Sequence, residues 1–156
     1  MNTTTIPFDS AAQEAYLNLW RTYDRLKAIE DGLFVRWDLT AQQYNVLRLL
    51  DSAPAGAVPT LSLAARLVSK APDITRMIDR LEKRGLIERE RRDTDRRTVM
   101  VSITDLGREL IQSIAEPLSQ CHQVQIGHLD DNELETLTRL LKKTRQPHEP
   151  AGSRWL

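Results

Sequence analysis

The chain has 156 residues, 40% of them apolar and 28% charged, which is one domain's worth of ordinary globular composition and excludes wholesale disorder. It carries 22 basic and 22 acidic residues, so bulk charge does not hold it to nucleic acid in the manner of a histone. No apolar run approaches the roughly 18 residues of a membrane span, and the first residues lack the pattern of a signal peptide, so a cytoplasmic protein is expected.

Residues 1–9 are polar, contain Pro7 and are expected to fray. From 10 to about 34, Tyr16, Trp20, Tyr23, Leu26 and Phe34 recur at helical spacing. The stripe is long for a small domain and looks built to meet something large. Gly32 and Trp37 suggest a bend after it. Thr40 with Gln43 three residues on is a capping box, and Leu39 with Tyr44 fits a hydrophobic staple. Tyr44, Leu47 and Leu50 are expected inward, with Val46 at their edge. The breaker-rich run 53–59 ends this helix near Ser52.

Thr60 is expected to cap a short helix to about Val68, with Leu61, Ala64 and Leu67 as its apolar residues. A tight turn, Ser69-Lys70-Ala71, follows. Pro72 suits the first turn of the next helix and Asp73 its positive end. Ile74, Ile78 and Leu81 form its inward stripe beside Met77, and Gly85 is a left-handed stop. The period then changes to two. Val99, Val101 and Ile103 alternate with Met100 and Ser102 as a strand, and 86–91 offers a partner. The link 92–97 is wholly polar, a hairpin tip with no packing role.

Thr104-Asp105 opens a long helix with Leu106, Leu110, Ile114, Leu118, Cys121 and Gln125 on one face. Pro117 is expected to kink or split it. Asp130 and Glu133 make a second capping box, ahead of a stripe of Leu134, Leu137, Leu140 and Leu141. From Gln146 the tail is expected to be loose.

Charge is unevenly spread. Residues 66–97 hold eleven basic and seven acidic side chains, a net of +4, which leaves −4 for the rest. A basic centre between acidic flanks fits a polyanion-binding middle; a solvated face of mixed ion pairs is the plainer account. The order of elements decides between them. A short helix, a tight turn, a second helix and two strands with a charged tip make a winged helix-turn-helix. The helix start, with Ser69, Lys70, Thr75 and Arg76, suits a major groove, and a basic tip suits the neighbouring minor groove.

The run Ile74-Thr75-Arg76-Met77-Ile78-Asp79-Arg80-Leu81-Glu82-Lys83-Arg84-Gly85-Leu86-Ile87, followed by Arg89, Asp93-Thr94-Asp95-Arg96-Arg97 and Thr104-Asp105-Leu106-Gly107, resembles the MarR family of bacterial transcription regulators. The resemblance covers roughly 10–145. It implies a mainly α fold with a small β-hairpin wing: a DNA-binding lobe over 39–104, dimerisation helices over 10–37 and 105–145, and flexible ends at 1–9 and 146–156. It implies a homodimer on a palindromic operator in double-stranded DNA, most simply a repressor relieved by a ligand. The helix from about Pro72 would read the major groove, with Asp73, Thr75, Arg76 and Arg80 on it. Asp95 would orient Arg97 toward the minor groove, and Arg96 would meet phosphate.

Tyr16, Trp20, Tyr23, Trp37 and Tyr44 admit two readings: dimer or domain core, or the wall of a pocket for a small aromatic or phenolic effector, which the family often binds. Cys121 is read as a packing residue; the reactive cysteine of peroxide-sensing members has no counterpart near the first helix. His122, His128 and His148 form no recognised metal spacing, and no phosphate loop or nucleophile motif is present, so neither metal, cofactor nor enzymatic activity is expected. A winged helix that binds protein instead of DNA is the alternative function. Salt dependence separates the two.

Overall fold

A computed structural model describes residues 7–69, 73–92 and 95–155, with backbone alone for Arg92 and 95–97. Helix α1 (Ala11–Phe34) begins at Ser10, whose hydroxyl accepts the Gln13 N–H at 3.1 Å. Asp9, expected to fray, is tied down by reciprocal bonds with the Gln13 side chain at 2.6 and 2.8 Å. Gly32 stays helical; the bend falls later, in a 3-10 turn (Val35–Trp37) closed by Asp38. Asp38 is left-handed at φ 51°, a conformation that aspartate tolerates better than most residues.

Helix α2 (Ala41–Asp51) has both halves of its capping box: the Thr40 hydroxyl accepts the Gln43 N–H at 3.2 Å, and the Gln43 amide oxygen accepts the Thr40 N–H at 2.9 Å. Val46, expected at the edge of its inward face, is wholly buried with Leu47 and Leu50, while Tyr44 is only half-buried. The breaker-rich segment holds a short strand that periodicity did not reveal, β1 (Val58–Pro59). Two residues are too few to show a period of two.

Thr60 is the first residue of α3 (Thr60–Arg66), not its cap. Its hydroxyl instead donates to the Val99 carbonyl at 3.2 Å. The buried residues of α3 and its exit are Leu63 and Leu67, whereas Leu61 is 88% exposed. Helix α4 (Ile74–Lys83) starts at Asp73, whose carboxylate accepts the Arg76 N–H at 3.0 Å. It ends as expected. Gly85 is left-handed at φ 69°, its N–H donates to the Glu82 carbonyl at 2.8 Å, and the Leu86 N–H reaches back to the Leu81 carbonyl at 3.1 Å. That is a Schellman closure with a buried apolar residue, Leu86, just beyond it.

Strands β2 (Ile87–Arg92) and β3 (Asp95–Ile103) pair antiparallel from Ile87 opposite Ile103 to Arg91 opposite Val99, and the register shifts after Arg91. β1 pairs with the outer side of β3, giving the order β1-β3-β2. Asp93 and Thr94 lie outside the described residues. Val101 and Ile103 are buried as expected, but Val99 is only half-buried, and Met100, expected on the opposite face, is buried as well.

Helix α5 (Asp105–Ile126) runs unbroken through Pro117, so the expected split does not occur. A proline there removes the N–H that would bond the Ser113 carbonyl and crowds that carbonyl with its ring, a local cost that the helix absorbs without breaking. The inward face holds as expected at Ile114 and Cys121, which are buried, and at Leu110 and Leu118, which pack against the core; it turns by one position only at the start of the helix. Gly107, Ile111 and Ile114 are buried and Leu106 is exposed. Gly107 explains the turn: a Cβ there would lie 2.3 Å from the Leu86 carbonyl oxygen and 2.7 Å from Ile103 Cγ1. Only a bare backbone brings α5 so close to the wing.

Helix α6 (Asp131–Arg145) opens with its capping box intact, both bonds at 2.9 Å. The tail, expected to be loose, folds back on α6. The Arg145 guanidinium donates to the Trp155 carbonyl at 3.2 and 3.3 Å and pairs with Glu149 at 3.4 Å. Nearly all of the core lies between α2, α3, α4, the sheet and the first half of α5, with Phe34 as its contribution from α1.

Candidate nucleic-acid interface

The short α3, the turn after it and α4 are the helix-turn-helix, and β2 and β3 are its wing. Helix α4 buries Ile78 and Leu81 and leaves Thr75, Arg76 and Arg80 exposed. Its N-terminal turn therefore faces solvent with a hydroxyl and a guanidinium where its backbone N–H groups also point, a combination suited to phosphates and base edges. Asp73 stays exposed at the start of that helix. It caps α4 and pairs with Arg76 Nε at 3.1 Å, which orients the arginine. Lys70 and Pro72 lie outside the described residues. For Asp95, Arg96 and Arg97 the backbone is placed in β3 at the end of the hairpin.

Two arginines counted in the basic window are used inside the lobe. Arg89 on β2 bonds Asp79 at 2.7 Å and Glu82 at 2.9 Å, pinning the wing to α4. The hydrogen bond from Arg89 holds the Glu82 carboxyl below the usual range. Arg84 turns toward the linker between α1 and α2. The signal for such internal use was visible only as the acidic residues interleaved with the basic ones.

Beside the interface lies a cleft of about 690 Å³ between the end of α1, the first half of α2, the exit of α3 and the middle of α5. Tyr23, Phe34, Val35, Leu39, Tyr44 and Val68 give it apolar surface; Lys27, Glu30, Asp31 and Arg48 give it charge, and His122 adds an imidazole. Burial pushes the Tyr44 phenol up from its ordinary range, so it is a neutral donor at physiological pH. Of the aromatic residues singled out in the sequence, Tyr23 and Tyr44 line this cleft. Tyr16 and Trp20 stand 62% and 61% exposed on α1, ring centroids 6.3 Å apart, and Trp37 packs on the core. Ser69 sits in the cleft wall, accepting a hydrogen bond from the Gln42 amide at 2.8 Å. It thus belongs to the cleft as well as to the turn before α4. His122 is a cleft residue that spacing alone did not mark.

Cys121 is buried, and burial first, then the charge of Glu30, pushes its thiol up, which keeps it protonated and a poor nucleophile. Among the described residues no group of three or more His, Cys, Asp or Glu side chains is placed to hold a metal ion, and no helix is long and apolar enough to cross a membrane.

The sequence profile of the MarR family matches residues 39–99, the lobe just described. The crystal structure of a MarR transcription factor from Planctomyces limnophilus is 54% identical, covers 87% of this chain and 98% of its own, and superposes with a TM-score of 0.70. The chain belongs to the MarR family. A MarR variant from Escherichia coli solved with operator DNA is 25% identical over 89% of this chain and 99% of its own, with a TM-score of 0.77. The transcriptional repressor MprA of Escherichia coli is 33% identical over 70% of this chain, which spans 64% of that repressor's length. Members of the MarR family are DNA-binding transcription regulators, not enzymes. This MarR protein has the family's mainly helical fold with a small antiparallel sheet as its wing.

Proposed function

We propose that this MarR protein is a homodimeric repressor that binds a palindromic operator and is released by a small aromatic or phenolic compound. The observation that carries the reading is α4, which buries one face and offers Thr75 and Arg76 at a capped, solvent-facing N-terminus. We assign DNA contact to Ser69 and Arg80 as well and, on the family resemblance, to Arg96 and Arg97 of the wing, with Asp95 assigned to orient Arg97. Asp73 caps α4, and Lys70 and Pro72 are assigned to the same interface on the family resemblance alone.

The second copy is argued from unpartnered faces. Tyr16, Trp20 and Tyr23 on α1, Val124 on α5, and Leu137 and Leu140 on α6 are all exposed. Exposed apolar surface concentrated on three helices outside the DNA lobe marks an interface. The effector is argued from the cleft, which touches both those flanking helices and the turn before α4. The repressor reading takes its support from the similarity to MprA.

Fluorescence anisotropy tests the reading, with the duplex upstream of the protein's own gene, at two salt concentrations, against unrelated competitor. Binding that survives competitor and falls steeply with salt is expected. Substituting Arg76 by Ala is expected to weaken it and change sequence preference, and Arg97→Ala to weaken it on every duplex with a shallower salt slope. Weak, salt-insensitive association would favour the protein-binding alternative.

A further inference from the structure

Arg84 closes α4 at the end opposite Thr75 and Arg76. With ten residues in α4, the two ends are about 15 Å apart at 1.5 Å per residue. Its guanidinium does not return to the carbonyls of its own helix. It donates to the Asp38 carbonyl oxygen at 2.5 Å and to the Trp37 carbonyl oxygen at 3.0 Å, while the Asp38 carboxylate stands off at 4.0 Å. Two backbone acceptors held in one fork is a geometry that arginine offers and lysine does not.

Those carbonyls belong to the turn that joins α1 to α2. The turn is itself closed by backbone bonds, from the Asp38 N–H to the Val35 carbonyl at 3.1 Å and from the Leu39 N–H to the Phe34 carbonyl at 3.2 Å. The same turn gives Phe34, Val35, Leu39 and Thr40 to the cleft wall. One guanidinium therefore bridges the wall of the cleft and the helix that faces DNA.

We propose that Arg84 is a positioning residue for DNA binding, locking α4 to the α1–α2 turn so that a displacement of the cleft wall carries the DNA-facing helix with it. The inference rests on the reading of α4 as the DNA-reading helix and of the cleft as the effector site.

The test compares the full-length protein with Arg84→Met and Arg84→Lys, on a duplex enriched by the wild-type protein from a random pool, over a range of salt. Arg84→Met keeps the aliphatic stem and loses both donors. An affinity loss of about tenfold is expected, with the slope of log affinity against log salt unchanged, because no phosphate contact is lost. Arg84→Lys, with one compact donor, is expected to fall between. A slope shallower by about one unit would make Arg84 a phosphate ligand. An affinity within twofold of wild type would make the contact incidental. Either result overturns the proposal. A second readout needs no DNA: amide hydrogen exchange at 35–39 and at 74–78 is expected to quicken together in Arg84→Met, and unchanged exchange at 74–78 overturns the proposal as well. If the wild-type protein enriches no duplex, the DNA reading of α4 fails by itself, and the exchange pattern still decides whether Arg84 couples the turn to the helix.

Discussion

Helices α2 and α6 are both amphipathic and both open with a capping box, yet they end in opposite situations. α2, eleven residues long, buries Gln43, Val46, Leu47 and Leu50; α6, fifteen residues long, buries nothing. α1 resembles α6, burying only Leu33 and Phe34 of its 24 residues. The lobe satisfies its apolar faces within one chain. The flanking helices have the same pattern in sequence, and among the described residues most of it stays uncovered. A stripe of leucines thus states that a helix will be covered, and not by what.

The comparison can be broken from the lobe side first. Leu63→Ala removes a fully buried side chain and is expected to lower stability by about 2–5 kcal/mol, read by thermal or denaturant unfolding. Preserved stability would mean that the lobe core is not what holds the fold. From the flank side, the double change Leu137→Glu with Leu140→Glu alters side chains 39% and 47% exposed in the single chain. It is expected to leave the lobe folded while weakening self-association by about a hundredfold or more, read by sedimentation, because it places charge in an apolar interface. Unchanged association would put the second copy elsewhere.

Two smaller effects sharpen the contrast. Gly85→Ala forces a side chain into the left-handed closure of α4 and is expected to cost about 1–2 kcal/mol. Gly152 in the tail, also left-handed, is the matched control in a segment where little core depends on the turn. The smallest effect concerns pH. Glu82 is held below its ordinary pKa by Arg89, so its contribution to stability is present above the unfolded carboxyl's pKa and fades as pH falls through the lower folded value. The pair is partly exposed, so only a few tenths of a kcal/mol are expected. Glu82→Gln should flatten that acid-side slope, and an identical acid melting profile would assign the pairing no energetic role.

Local chemistry read well. The caps at Thr40, Thr104 and Asp130 and the stop at Gly85 depend on residues within a few positions of one another, so the sequence displays them whole. What misled was local too, but decided from a distance. Thr60 has every quality of a cap, and is drawn instead to the Val99 carbonyl across the sheet. Leu61 and Leu63 are equally apolar, and only the position of the sheet makes one exposed and the other buried. The candidate DNA surface was legible because α4 carries its exposed and buried faces in a short run. The cleft was half legible. Tyr23 and Tyr44 were singled out, but His122 and Gln42 come to it from elements far apart in sequence.

By itself the sequence determined the order of the helices and the two wing strands, the capping boxes at Thr40 and Asp130, the stop at Gly85, and the family, because each rests on neighbouring residues or on an unbroken motif. The tertiary structure alone decided which basic residues face solvent and which are spent inside. Arg84 and Arg89 look like their neighbours until the chain brings carbonyls at 37 and 38, or carboxylates at 79 and 82, within hydrogen-bonding reach. Charge is a property of a residue, but what a charge does is a property of what stands opposite it, and contact falls off over a few ångströms in space with no regard for distance along the chain.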